Sequence, residues 1–334
     1  MKNKMYENLT FNDVLIEPQY SEVCSRSNVD ISTNIGDYIL SLPIISANMK
    51  HVTESKMALE MSNNGGLGIL HRFCSIEENM LMWQNTRAPA GVSVGVQESD
   101  FNRAIALYEL GAKIFCVDVA HGHHVLVKKA IERLKTLGDD ICIIAGNIAT
   151  SQATYALSEW GADVVKVGIG PGSVCQTRRN TGVGVPQLDA LKNVKNQVEN
   201  QRKKVKIIAD GGIVSPGDIA KALKFADAVM VGSLIAGTSE TPGDVFRGEN
   251  NQLYKVYGGS ASGESKKGNG QETKFVEGMT KQVPFKGHVK YILREISDGV
   301  KSAFSYSNAN NLKEFQERCK LIKISSGGRI ESKL

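Results

Sequence analysis

A chain of 334 residues with 41% apolar and 22% charged side chains can build one large α/β barrel or two or three small domains, and is not the composition of a disordered polymer. Its net charge of +5, with both signs interleaved, is too weak for a nucleic-acid-binding footprint, and the basic runs Arg202-Lys203-Lys204 and Lys266-Lys267 read as solvated faces. No stretch reaches the roughly 18 apolar residues of a membrane span, and residues 1–20 carry Glu7, Asp13 and Glu17 where a secretory signal would have an apolar core.

In chain order, the strongest pattern is a short apolar run followed by a segment of helical period. The runs are Leu42–Ile45, Leu67–Leu70, Gly91–Val94, Ile114–Asp118, Ile141–Ala145, Val164–Val167, Val205–Ala209 and Ala228–Val231. Runs that are apolar throughout suit parallel strands buried on both faces. Asp100–Leu110, Val125–Leu137 and Ser151–Trp160 carry the helical period, with Ser99, Ser151 and Ser215 as helix starts and Gly111, Gly138 and Gly161 as helix ends. Eight evenly spaced βα units predict a TIM (β/α)8 barrel, one domain over residues 1–334, in preference to an open doubly wound sheet.

Two stretches break the rhythm. The gap between the sixth and seventh runs is about 17 residues longer than the others and opens with Gly168-Ile-Gly-Pro-Gly-Ser-Val-Cys175. A long loop at the C-terminal end of a barrel strand is where catalytic residues sit. After the eighth run, residues 257–287 are polar, rich in Gly, Ser and Lys, and without period, which predicts a flap.

The six cysteines, at positions 24, 74, 116, 142, 175 and 319, form no C-x-x-C pair, so a reducing cytoplasm is expected. Cys175 stands out. Glycines precede it, and Thr177, Arg178 and Arg179 follow, a setting that favours a nucleophilic thiolate, although a buried small hydrophobe is the commoner fate of a cysteine. Asp210-Gly211-Gly212 and Gly232-Ser233 follow the seventh and eighth runs, where barrels form phosphate sites from backbone N–H groups; simple turn chemistry is the alternative. Asp118 ends the fourth run and is a binding candidate. His121-Gly122-His123-His124 lacks the companions a zinc site needs and reads as a turn or ligand-contacting loop. No G-x-G-x-x-G follows an early strand, so a Rossmann cofactor domain is not indicated.

The loop Gly168-Ile-Gly-Pro-Gly-Ser-Val-Cys175 with Thr177-Arg178 resembles the active-site loop of the IMP dehydrogenase/GMP reductase family. Leu9-Thr-Phe-Asn-Asp-Val-Leu-Ile16, Ser46-Ala-Asn-Met49, Ile208-Ala-Asp-Gly-Gly-Ile213, Met230-Val-Gly-Ser233 and Tyr257-Gly-Gly-Ser-Ala-Ser262 match in the same order, nearly from end to end. The reductase branch is the more similar. Arg72–Val92 leaves no room for the regulatory repeats most dehydrogenases insert. No arginine lies between Arg247 and Arg294, whereas the dehydrogenase flap carries an Arg-Tyr pair that activates water. Thr181-Gly-Val-Gly184, Cys116-Val-Asp-Val-Ala120 and Leu70-His-Arg-Phe73 are similar to reductase versions of those loops. The chain departs from the pattern at Gln176, across the flap Glu264–Phe275, and at His71-Arg72, where many reductases have a lysine.

The resemblance implies NADPH-dependent conversion of GMP to IMP and ammonia through a thioimidate on Cys175. Thr177 and Glu277 (in Val276-Glu-Gly278) would relay the proton. It implies that Ser46 and Met49 flank the base, Asp210 holds the ribose, and Ser173, Gly211, Gly212, Gly232, Ser233, Tyr257, Gly259 and Ser260 complete the nucleotide site. Asp118 and Ala120 would face the nicotinamide, with Arg72 and Arg179 assigned to cofactor phosphates on charge alone. It also implies a monovalent cation, K⁺, on the carbonyls of Gly170, Gly172 and Cys175, and a homotetramer. The competing readings are an IMP dehydrogenase without the regulatory domain, a nucleotide-binding protein without turnover, and a flavin-dependent barrel enzyme, which would be yellow.

Overall fold

The computed structural model describes residues 7–259 and 278–332. Three short strands precede the barrel: β1 (Val14–Glu17) and the hairpin of β2 (Thr33–Ile35) with β3 (Tyr38–Leu40). Then come β4 (Ile44–Ser46), β5 (Leu67–Leu70), β6 (Ala90–Val94), β7 (Ile114–Asp118), β8 (Cys142–Ile148), β9 (Val164–Val167), β10 (Lys206–Asp210) and β11 (Ala228–Val231). Each pairs in parallel with its neighbours, and β11 closes on β4 with Met230 opposite Ile45. This is the (β/α)8 barrel the eight apolar runs predict. The runs work as signals because β5, β6, β9 and β11 are buried at every position, so both faces demand apolar side chains.

The differences at strand ends have local causes. The first strand begins at Ile44, not Leu42, because Pro43 has no N–H for the ladder; its carbonyl instead accepts from Val229 N at 2.9 Å. The fifth strand runs on to Ile148 through Gly146-Asn147. The register with β9 shifts between Gly146 and Ile148. Such a bulge re-aims a side chain, and the Asn147 side chain lies at the barrel mouth.

Helices α1 (Ser55–Asn63), α2 (Ile76–Thr86), α3 (Glu98–Glu109), α4 (Val125–Lys135), α5 (Ser151–Trp160), α6 (Thr177–Thr181), α7 (Gln187–Asn200) and α8 (Pro216–Leu223) follow in order. Ser215 caps α8 as expected, accepting from Asp218 N at 3.2 Å. Gly161 ends α5 at φ 111°. Ser151 starts α5 as expected, behind the N-cap Thr150, whereas Ser99 is the second residue of α3, whose N-cap is Gln97. Thr150 Oγ1 accepts from Ala153 N, the better-placed hydroxyl one residue earlier.

After β11 the described residues form further strands, and residues 260–277 of the expected flap lie outside the described residues. β12 (Phe246–Arg247), β13 (Leu253–Gly258) and β14 (Thr280–Pro284) form an antiparallel sheet, with Tyr257 opposite Lys281. The expected irregular stretch is thus bounded by a hairpin stem. The aromatic and β-branched content of Leu-Tyr-Lys-Val-Tyr in β13 was its signal. Helix α9 (Val289–Tyr306) packs on α8, and β15 (Lys320–Lys323) returns to pair antiparallel with β1. The opening motif around Phe11 therefore ties the chain's two ends together. Among the described residues no helix is long and apolar enough to cross a membrane.

Candidate active site

The strands end around a cleft of about 1040 Å³ at the C-terminal mouth of the barrel. The loop from Gly168 to Gln176 forms one wall, held by side chains from three directions. Asn147 Nδ2 donates to Gly168 O (2.7 Å), Gln187 Nε2 to Val167 O (2.8 Å), and Arg178 Nε to Ile169 O (3.0 Å). Arg178 Nη2 also donates to Val185 O at 2.5 Å, so its guanidinium serves the loop's backbone. Gly168 lies so close to the β10 terminus that an added Cβ would fall 1.9 Å from Asp210 O. Only a residue without a side chain fits there.

Cys175 is exposed at this mouth, and its Sγ–H donates to Thr177 Oγ1 at 3.2 Å. Gly278, at the foot of β14, forms a bridge with Cys175, and Met279 N donates to Val174 O at 3.0 Å. The hairpin stem thus closes on the loop that carries Cys175. Glu277 and Ser260 lie outside the described residues.

The other cysteines differ sharply from Cys175, except Cys24, which is also exposed. Burial pushes the Cys116 and Cys142 thiols up to about 12 and the Cys74 and Cys319 thiols up to about 11. Brief iodoacetamide treatment at pH 8 is expected to label Cys24 and Cys175 and spare the buried Cys116, Cys142 and Cys319 and the half-buried Cys74. Peptide mass mapping reads the result. Equal labelling of Cys116 would contradict the burial argument.

Opposite Cys175, Gly211 and Gly212 have φ of 91° and 78°. Successive left-handed residues turn their N–H groups into a concave nest. Among the described residues the N–H groups of Gly211, Gly212, Gly232 and Ser233 donate to no protein group. Tyr257 stands over them, its hydroxyl about 3.0 Å from where a Gly232 Cβ would be. Burial pushes that phenol up to about 12, against a hydrogen bond from Ser173, so it remains a donor at neutral pH.

Lys166 lies beneath the cleft, 2% exposed in a strand of valines. Its ammonium donates to Asp118 Oδ1 (2.8 Å), to Asp210 Oδ2 (3.0 Å) and to Asn147 Oδ1. Burial raises the Asp118 carboxyl, but Lys166 and then Arg72 outweigh it and hold the group below its ordinary value. The same carboxylates keep Lys166 protonated against burial.

The cleft brings together most of the residues the sequence singles out: Cys175 and Thr177; Met49, Ser173, Asp210, Gly211, Gly212, Gly232, Ser233, Tyr257 and Gly259; Asp118 and Ala120; Gly170 and Gly172. Ser46 does not reach it. Ser46 is fully buried, and its Oγ accepts from Thr53 Oγ1 at 2.8 Å. Arg179 is exposed and outside the lining. Arg72 sits behind Asp118, with Nη2 3.4 Å from Asp118 O and Nη1 3.8 Å from Asp100 Oδ1. Asp100 in turn lines a second hollow between α3 and α4, of about 580 Å³. His124 of the histidine cluster caps α4, its Nδ1 accepting from Leu126 N at 3.1 Å.

Sequence reasoning missed Lys166, Asn147 and Asn48. Asn48 is 3% exposed and lines the cleft, and its side chain helps hold the Asp118 carboxyl down. A lysine inside the apolar run Val-Val-Lys-Val was a readable signal.

A model of the IMP dehydrogenase / GMP reductase domain matches residues 8–334. The chain belongs to the IMP dehydrogenase/GMP reductase family. Among family members, it is 38% identical to a GMP reductase of Clostridium acetobutylicum, over 90% of this chain and 91% of that protein. It is 31% identical to an inosine-5'-monophosphate dehydrogenase of Aquifex aeolicus, over 99% of this chain and 96% of that one. A crystal structure of a cysteine-to-alanine variant of GMP reductase from Trypanosoma brucei, in complex with guanosine 5'-monophosphate, superposes with a TM-score of 0.93 at 29% identity. That match covers 99% of this chain and 98% of the other.

Proposed function

We propose that this family member is a GMP reductase: GMP + NADPH + 2H⁺ gives IMP + NADP⁺ + NH₄⁺. The observation that carries the reading is Cys175 Sγ 3.2 Å from Thr177 Oγ1 at the mouth of the barrel, facing the glycine nest. The lack of any arginine from position 248 to 293 favours the reductase branch.

The nucleotide binds with its phosphate on the N–H groups of Gly211, Gly212, Gly232 and Ser233 and on the Tyr257 hydroxyl. Asp210 keeps Oδ1 for the ribose, since Oδ2 is engaged by Lys166 and Asn147. Met49 packs beside the base. Cys175, as thiolate, attacks C2 of the purine. The exocyclic C–N bond breaks, and the amine takes a proton delivered through Thr177 from Glu277 and leaves as ammonia. A thioimidate between C2 and Cys175 remains. NADPH, when bound, supplies the hydride that reduces C2. The C–S bond then breaks and Cys175 departs as thiolate.

The cofactor side of the cleft fits a nicotinamide carboxamide. Asp118 is an ionised acceptor, Asn48 Nδ2 a donor beside it, and Ala120 leaves room next to them. Arg72 stands between this cleft and the second hollow, where cofactor phosphates would pass. The carbonyls of Gly170, Gly172 and Cys175 are hard oxygen donors suited to K⁺, and Gly172 O also accepts from Cys175 N at 3.0 Å. The reading includes a single catalytic domain, with α2 alone between β5 and β6, and a cytoplasmic homotetramer. All six cysteines are unpaired, in keeping with a reducing compartment.

Absorbance at 340 nm tests the reading. Loss of signal with GMP and NADPH, with ammonia released, is the expected result. A rise with IMP, NAD⁺ and K⁺ and no change with GMP would assign the chain to the dehydrogenase branch.

A further inference from the structure

A lysine ammonium has three N–H donors, and Lys166 places all three. Asp118 Oδ1, Asp210 Oδ2 and Asn147 Oδ1 surround it, and the side chain is 2% exposed. The four residues belong to β7, β8, β9 and β10, which are consecutive staves of the barrel. The network crosses the cleft floor from the carboxylate that ends β7 to the carboxylate that ends β10. Asp210 and Asp118 each give Lys166 one oxygen, and both line the cleft. Asn147 closes the ring by donating Nδ2 to Asp210 Oδ2 at 2.8 Å.

We propose that Lys166 is a positioning residue that couples nucleotide binding to cofactor binding, through its shared contacts with Asp210 and Asp118. The inference rests on the functional reading above, which puts the ribose on Asp210 and the nicotinamide beside Asp118. One ammonium shared by two mutually repelling carboxylates makes the position of each depend on the other. The ligand that arrives first fixes the carboxylate it touches. Lys166 follows that oxygen, and the opposite carboxylate is oriented before its own ligand binds. The coupling is therefore favourable, and thermodynamic reciprocity makes it equal in both directions.

The test measures NADPH affinity by calorimetry with and without saturating GMP. The Cys175→Ala variant serves as parent, so that no turnover intervenes. GMP is expected to tighten NADPH about tenfold in the parent, within the usual range for coupled sites. Adding Lys166→Met should bring that factor to about one, and Lys166→Arg, which keeps the cation, should preserve most of it. A purely structural role would weaken each ligand alone and leave the factor unchanged. A folded Lys166→Met protein with the parent's factor overturns the proposal, as does a parent that binds both ligands without coupling. Should Lys166→Met fail to fold, Asp118→Asn cuts the same link from its other end: loss of the factor supports the proposal, and an unchanged factor overturns it. A parent that does not bind GMP at all defeats the functional reading itself, and this shows before Lys166 is altered.

Discussion

Replacing Cys175 with alanine is expected to lower kcat for GMP reduction by about 10⁴-fold or more while leaving GMP affinity within about threefold. The asymmetry follows from where the groups sit. The thiol stands at the open mouth and, among the described residues, hydrogen-bonds Thr177. The groups that would hold phosphate and ribose are on other strands: Asp210 to Gly212 after β10, and Gly232 and Ser233 after β11. Alanine removes the atom that bonds to C2 and leaves the nest intact. Without that bond the amine must be displaced directly by hydride, a step with no stabilised intermediate. The 340 nm assay gives kcat, and equilibrium dialysis gives the GMP Kd. Turnover within tenfold of the parent would remove Cys175 from the chemistry. Loss of GMP binding together with activity would mean that the loop, held by Arg178 and Gln187, had collapsed.

The barrel was legible because burial on both faces of a strand leaves little choice of residue. Leu67–Leu70, Ile114–Asp118, Val164–Val167 and Ala228–Val231 are strands to the residue. Boundaries failed where backbone chemistry overrode hydropathy: at Pro43, which cannot donate, and at Gly146-Asn147, which looks like a turn and is a bulge. Most of the cleft lining was legible from contiguous motifs. Ser46 shows the limit of that route. It belongs to the right motif, yet its side chain faces Thr53 beneath the floor while its neighbours Ala47, Asn48 and Met49 line the cleft. A motif names a segment, and the backbone decides which side chains enter the site. Lys166 shows the converse. Its partners Asp118 and Asp210 lie 48 and 44 residues away, so an anomalous lysine in an apolar run was visible but its purpose was not.

Thr177→Val should lower kcat for GMP about 100- to 1000-fold with little change in KM, because it removes a proton relay and nothing else of size. Valine matches threonine in shape, and position 177 is the first residue of α6, where a branched side chain is tolerated. What disappears is Oγ1, the atom 3.2 Å from Cys175 Sγ. Attack of Cys175 on GMP then leaves an amine that must depart without a proton delivered at the right place. The reverse half-reaction makes no such demand. With IMP and NADP⁺, Cys175 adds to C2 and hydride leaves for the cofactor, so no amine is protonated. A burst of NADPH close to one per active site is therefore expected from Thr177→Val, even though its GMP turnover is slow. Equal loss in both experiments would mean that the hydroxyl positions Cys175 and relays no proton. Full GMP turnover would place the acid on another residue of the cleft.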